Sequence, residues 1–190
     1  YHDGAGVRAR TTTDGKAWQE YAGPFAIGTH PAVALSPAGL RMACCSGGVL
    51  RILRSSDRGA TWEAAGDVTA LPAQRAALLV DRHGYLQLYT HNTGRRVEQR
   101  SSPDGVRWTD PRAVLAAGSY PAVAEWPAGR VLLCWAGDMM LYHTLAGDGV
   151  TPSAPLAAPS GLRAGYLGLI INRHGLAWMA GFEGNVMRRY

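Results

Sequence analysis

The stretch PAVALSPAGLRMACC at residues 31–45 recurs as PAVAEWPAGRVLLCW at residues 121–135, and weaker copies lie at residues 77–88 and 169–178. Each copy has an apolar run, a turn that contains glycine and a second apolar run, which is the pattern of a β-hairpin. The turn glycines are Gly39, Gly84, Gly129 and Gly175, at intervals of 45, 45 and 46 residues. A period of this length is typical of folds that repeat one small sheet, so the sequence predicts a tandem array of sheets.

A second motif runs out of phase with the hairpins. Residues 55–62 have the pattern Ser-x-Asp-x-Gly-x-Thr-Trp, and residues 12–18 and 102–108 have the shorter pattern Ser/Thr-x-Asp-Gly-x-x-Trp. An aspartate can accept hydrogen bonds from the backbone of its own turn, and glycine can adopt positive φ, so we interpret the motif as a hairpin turn. We expect each tryptophan to pack back into its sheet, and we interpret the aspartates as structural rather than catalytic or metal-binding. The residues assigned to these turns are Thr12, Asp14, Gly15 and Trp18, then Ser55, Asp57, Gly59, Thr61 and Trp62, then Ser102, Asp104, Gly105 and Trp108.

These turns resemble the Asp-box, or BNR, repeats of the sialidase-like β-propellers, and the resemblance covers essentially the whole chain. It implies an all-β fold of radial, four-stranded antiparallel blades, with each turn between the third and fourth strands at the outer rim. Three blades would span residues 30–70, 75–116 and 120–158, and a fourth would begin in residues 166–190. We expect one domain over residues 1–190, a propeller of about four blades in which the N-terminal strands complete the C-terminal blade. The alternative is a fragment of a larger ring.

Polar and aromatic residues recur at one end of the predicted hairpins. The residues nine positions before the turn glycines are His30, Arg75, Tyr120 and Tyr166. The loops after the second strands add His91, Asp138 and Glu183 at the same end. Two interpretations stay open: these residues close the mouth of a narrow channel, or they line a shallow pocket for a glycan or a peptide side chain. In the second, Tyr120 and Tyr166 stack on the ligand and Arg75 holds an anion.

Two classes of function follow, one implied by the resemblance and one suggested by a compact scaffold with polar loops. A sialidase-like glycoside hydrolase would clamp the substrate carboxylate with three arginines and would use a Tyr–Glu nucleophile and an aspartate as acid/base. Here only Arg75 is clearly in phase, Tyr166 and Glu183 form a conceivable pair, and the family's Arg-Ile-Pro signature is missing. The other class is a non-catalytic binding or assembly module that presents polar loops to a glycan or protein partner, on a cell surface or in a virion tail or fibre. We expect the second class, without a cofactor or a metal, and an extracellular or virion location rather than a cytoplasmic one.

The amino-acid composition argues against several other classes of function. The formal net charge is +5, and apart from Lys16 the positive charge is arginine. The arginines are scattered except for the pairs Arg95–Arg96 and Arg188–Arg189, which argues against a nucleic-acid surface with its clustered basic stripe. No apolar run approaches the roughly 18 to 20 residues that cross a bilayer, so we expect no membrane span. Cys44, Cys45 and Cys134 have no metal-ligand spacing, and we expect buried free thiols.

Overall fold

The computed structural model describes residues 6–8, 10–20, 28–65, 72–126, 129–136, 139–145, 151–154, 156–157, 168–171, 177–183 and 186–189. These residues form seventeen strands in five antiparallel sheets, and none of them is helical. The part of the chain that the structure describes therefore holds no helix long and apolar enough to cross a membrane. The all-β prediction is confirmed.

The strands follow one another in simple meanders. β1 (Arg10–Thr11) and β2 (Gln19–Glu20) form a two-stranded sheet. Blade I contains β3 (Thr29–Ser36), β4 (Gly39–Ser46), β5 (Val49–Ser55) and β6 (Glu63–Ala64). Blade II contains β7 (Arg75–Val80), β8 (Leu86–His91), β9 (Val97–Ser102) and β10 (Arg112–Leu115). Blade III contains β11 (Ser119–Trp126), β12 (Gly129–Ala136), β13 (Met139–Leu145) and β14 (Leu156–Ala157). The last sheet has three strands, β15 (Gly168–Ile171), β16 (Ala177–Glu183) and β17 (Val186–Arg189).

Successive sheets stand side by side, as the blades of a propeller do. The first strand of each blade contacts the first strand of the next, β3 with β7, β7 with β11 and β11 with β15. Apolar side chains fill the space between facing sheets: Ile52 packs in one cluster with Leu88, and Tyr89 packs in another with Val123. Burying such side chains is the main source of stability in a sheet protein. The predicted propeller class and the three predicted full blades are thus observed.

The aspartate turns, centred on Asp14, Asp57 and Asp104, connect β1 to β2, β5 to β6 and β9 to β10. The Asp57 carboxylate accepts hydrogen bonds from the Thr61 backbone N–H at 2.8 Å, the Thr61 hydroxyl at 2.6 Å and the Ser55 hydroxyl at 2.7 Å. These bonds hold the pKa of Asp57 at about 2, the Thr61 hydroxyl contributing most. Backbone hydrogen bonds likewise lower the pKa values of Asp14 and Asp104. Each carboxylate therefore stays ionised and ties its own turn together.

The tryptophans of these turns differ in burial. Trp62 packs against a buried cluster that includes Met42 and Val7, and its indole N–H donates to the Gly59 carbonyl at 3.1 Å. Trp108 packs against the core between blades I and II. Trp18, however, is 59% exposed, so the expectation that every tryptophan packs into its sheet is wrong for the first turn. Trp18 belongs to a sheet of two short strands, whereas Trp62 and Trp108 belong to four-stranded blades whose buried clusters they pack against.

One face of blade I is exposed where the same face of the next blades is covered. Val33, Leu78 and Val123 are equivalent, each six residues before its turn glycine. Leu78 and Val123 are 8% and 9% exposed because each packs against the preceding blade, whereas Val33 is 53% exposed and its neighbour Leu35 is 72% exposed. Among the described residues β1–β2 and β15–β17 are separate sheets, and their union in one blade remains a prediction.

Candidate functional site

A cavity of about 340 Å³ lies where blades I, II and III meet, at the end where β3, β7 and β11 begin. We call it the inter-blade cavity. Its volume is at the small end of the range of about 300–1,000 Å³ that is usual for ligand pockets. The described residues that line it are Thr29, Cys45, Gly47, Gly48, Ala73, Gln74, Arg75, His91 and Tyr120.

Two β-bulges place side chains at this cavity. The strand register shifts between Thr29 and Ala32 in blade I and between Ser119 and Ala122 in blade III. In both bulges a residue with positive φ precedes a proline: His30 at 57° and Tyr120 at 52°. Proline has no N–H to give to the sheet, which explains why the pairing breaks there. A bulge redirects the side chain that it carries, and positive φ in a bulky residue is strain that the surrounding structure has to hold.

Arg75 of blade II lies between the two bulges. It keeps a regular register, paired with His91. Its Nη1 donates to Nδ1 of His30, and its guanidinium carbon lies 5.0 Å from the centroid of the Tyr120 ring. That separation is within the range of a cation–π contact. Side chains from three blades thus meet at one guanidinium.

His91, which pairs with Arg75 across the strands, is buried, and its hydrogen bonds show which ring nitrogen carries the proton. Its Nδ1 accepts from the Tyr120 backbone N–H at 3.3 Å, and its Nε2 lies 3.2 Å from the Gln74 Oε1. Because an amide oxygen only accepts, Nε2 carries the proton, as assigned from this network. Burial, and then the positive charges of Arg75 and Arg95, lower the pKa of His91 to about 4. His91 is therefore a neutral, structural imidazole at neutral pH that holds the Tyr120 backbone.

The opposite wall of the cavity is formed by the end of β4 and the turn to β5. Gly47 and Gly48 have φ values of 58° and 78°, a pair typical of the two-residue hairpin turn that suits twisted strands. A Cβ on either glycine would meet nothing within 4 Å, so this wall is open. Burial, with a smaller effect of neighbouring Cys44, raises the pKa of the Cys45 thiol to about 11, which excludes a thiolate nucleophile there at neutral pH.

The structure brings four of the seven predicted site residues together: His30, Arg75, His91 and Tyr120. Tyr166 and Asp138 lie outside the described residues, and Glu183 ends β16 without a described side chain. The other lining residues were not predicted from the sequence: Thr29, Cys45, Ala73, Gln74 and the two glycines of the β4–β5 turn. Repeat phase could have predicted the two glycines as site residues. They follow the end of β4, the second strand of blade I, and His91 lies at the end of β8, the second strand of blade II.

The cavity is basic and aromatic. Arg75 supplies the positive charge of the described lining, since His91 and Cys45 are neutral at neutral pH. A guanidinium that donates in a plane, next to an aromatic ring, suits an anionic or hydroxyl-rich ligand. No cluster of three or more His, Cys, Asp or Glu side chains suited to a metal ion occurs in the described part of the chain.

The chain matches no protein-family model and no curated protein, but it is similar in fold to solved structures. A Dyadobacter fermentans protein of unknown function is 17% identical with a TM-score of 0.69, over 92% of this chain and 63% of that one. The exo-β-1,3-galactanase of Phanerochaete chrysosporium is 12% identical with a TM-score of 0.71, over 93% of this chain and 49% of that one. The leech intramolecular trans-sialidase is 14% identical with a TM-score of 0.59, over 96% of this chain and 36% of that one.

These comparisons establish the propeller fold. Several further similar structures are family-43 glycoside hydrolases. The chain spans less than two thirds of the length of the first four structures that it resembles.

Proposed function

We propose that the chain is a non-catalytic binding module that holds a glycan, through an anionic group, in the inter-blade cavity. One observation carries the proposal: His30 and Tyr120, from the two flanking blades, both contact the guanidinium of Arg75, and Arg75 and Tyr120 line the cavity. Two of the three have positive φ, and such strain is typical of functional sites. The module would act as part of a cell-surface or virion tail or fibre assembly, on a propeller of the Asp-box, sialidase-like kind.

The arrangement suits binding better than hydrolysis. Glycosidases generally use two carboxyl groups, one as acid and one as base or nucleophile. The described residues that line the cavity include no carboxyl group, and the imidazole of His91 is held by two hydrogen bonds. A guanidinium flanked by an imidazole and a phenol instead offers directed donors and a stacking surface, which saccharides use in binding.

The second candidate is a sialidase-like glycoside hydrolase. It is favoured by the solved structures of similar fold, whose names include a trans-sialidase and family-43 glycoside hydrolases. Tyr166 and Glu183 would then serve as the nucleophile pair and Asp138 as the acid, while Arg75 would hold the substrate carboxylate. Because the likeness is one of fold alone, this activity needs its own test.

The test is binding by the purified chain to an array that includes sialylated, uronic-acid-containing and neutral glycans. We expect binding to acidic glycans without turnover, weakened at least tenfold by Arg75→Gln and partly restored by Arg75→Lys, which keeps the charge but not the planar fork. Arg82→Gln is the matched control, because Arg82 is exposed in the β7–β8 turn at the other end of blade II; it should bind within twofold of the parent.

Three results would overturn the proposal. Equal binding by the parent and Arg75→Gln, or no binding to any glycan, would contradict a site at Arg75. Release of a fluorophore from a fluorogenic sialoside or arabinofuranoside, lost in Arg75→Gln, would show the hydrolase instead. Mass photometry that detects only large particles would add the assembly role.

A further inference from the structure

The β8–β9 loop, residues 92–96, directly follows His91, which lines the inter-blade cavity, and several hydrogen bonds hold the loop in place. The Asn92 side-chain oxygen accepts from the backbone N–H of Gly94 at 2.9 Å and of Arg96 at 3.4 Å. The Arg95 N–H donates to the Asn92 carbonyl at 3.0 Å. A loop closed by its own asparagine in this way has little conformational entropy left to lose on binding.

The same loop is tied to blade III. The Arg95 carbonyl accepts from the Gly118 N–H at 2.5 Å, two residues before Tyr120. Arg95 also has a φ of 56°, a left-handed conformation that arginine rarely adopts. The backbone therefore holds Arg95 in a fixed and strained position, bonded to the segment that leads into β11 and Tyr120.

The two arginines of the loop differ in their partners. Arg96 lies 3.7 Å from the Glu98 carboxylate, so part of its charge is balanced within the chain. Arg95 is exposed and makes no such ion pair with any described residue. Arg95 lies four residues beyond His91, which lines the cavity, and its positive charge, after burial and the charge of Arg75, lowers the pKa of His91. The cavity thus has the Arg75 guanidinium in its lining, and Arg95 lies in the loop that directly follows the lining residue His91.

We propose that Arg95 is a second anion subsite, so that the ligand is an oligosaccharide with acidic groups on at least two of its sugar units. The inference rests on the proposed function and extends it: Arg75 holds the first acidic group inside the cavity, and Arg95 receives the next one at the β8–β9 loop. A monosaccharide reaches one guanidinium, whereas a longer acidic chain reaches both.

The experiment compares galacturonic acid with its linear trimer by isothermal titration calorimetry. We expect the trimer to bind the parent chain about tenfold more tightly, the effect of one further charge-assisted contact. Arg95→Gln should reduce this gain to twofold or less and leave the affinity for the monomer unchanged. Arg95→Asn should behave in the same way, and because asparagine tolerates positive φ, it rules out a loss that comes from a distorted loop.

Arg96→Gln is the matched control from the same loop and should keep the gain. An equal loss in Arg95→Gln and Arg96→Gln would overturn the assignment, since it would indicate a diffuse positive field rather than a contact. Monomer and trimer that bind the parent equally, both lost in Arg75→Gln, would overturn the second subsite while the proposed function stands. If neither saccharide nor any glycan of the array binds, the proposed function itself fails.

Discussion

The Nη2 of Arg41, on β4 of blade I, donates a hydrogen bond of 2.9 Å to the backbone carbonyl of Asp104, in the aspartate turn of blade II. The Nη1 of the same guanidinium donates to the carbonyls of Ala38 and Leu40, both at 3.1 Å. Only 4% of Arg41 is exposed. One buried side chain therefore connects the β3–β4 hairpin of one blade to the outer turn of the next.

Replacing Arg41 should loosen the junction between these blades. Arg41→Met keeps the length of the side chain but leaves three carbonyls without their donor, and we expect a loss of about 2 kcal/mol in the free energy of unfolding. Urea denaturation measures it. Arg51→Met, at an exposed position on β5, is the control and should change stability by less than about 0.5 kcal/mol. Equal effects of the two variants would contradict a specific role for Arg41.

Gly105 is required beside this arginine. A Cβ at Gly105 would lie 2.5 Å from the Arg41 Nε and 3.0 Å from Leu86 Cδ1, and its φ is 76°. Gly48 has a φ of 78° with nothing within 4 Å of its Cβ position, so Gly48→Ala isolates the backbone cost, about 1 kcal/mol. Gly105→Ala should cost about 1 to 2 kcal/mol more, because the neighbours have to move. Equal losses in urea denaturation would show that the space at Gly105 is not limiting.

We expect the aspartate turns to make the folded chain less stable at low pH. The pKa of Asp57 is about 2 in the folded chain against an ordinary value of 3.8, so its contribution is fully present above about pH 3.8 and is lost as pH falls towards 2. The protonation midpoint of the Asp57 carboxyl carbon, followed by NMR, should move upward in Thr61→Val, which lacks the donating hydroxyl. Thr61→Ser keeps that hydroxyl and should retain the low midpoint. An unchanged midpoint in Thr61→Val would refute the bond.

We expect His91 to give the folding stability a second pH dependence, at a higher pH than that of Asp57. Its pKa falls from 6.5 to about 4 on folding, so the unfolded chain binds a proton before the folded chain does. Stability from this residue is complete above pH 6.5 and falls progressively as pH decreases to about 4. Thermal unfolding measured across this interval should show a smaller decline in His91→Gln than in the parent. His83→Gln, at an exposed turn, should follow the parent, and a parallel decline in His91→Gln would disprove the assignment.

Part of the site followed from repeat phase alone. Residues at the same distance from a turn glycine occupy the same end of their hairpins, which is why His30, Arg75 and Tyr120 could be placed together before any contact was known. Phase could not reveal the bulges, because positive φ at His30 and Tyr120 results from the interrupted register of whole strands. Nor could repeat phase predict that Trp18 is exposed and Trp62 is packed, since the burial of each ring depends on the sheet that faces it.

The sequence by itself determined the hairpins and the aspartate turns, because these depend on hydrogen bonds between residues a few positions apart, such as those of Asp57 with Ser55 and Thr61. Only the tertiary structure decided the neutrality of His91 and the burial of Arg41. Both depend on groups that lie far away along the chain: the Tyr120 N–H is 29 residues from His91, and the Asp104 carbonyl is 63 residues from Arg41. Such contacts arise when blades pack, and local pattern carries no record of which side chains then meet.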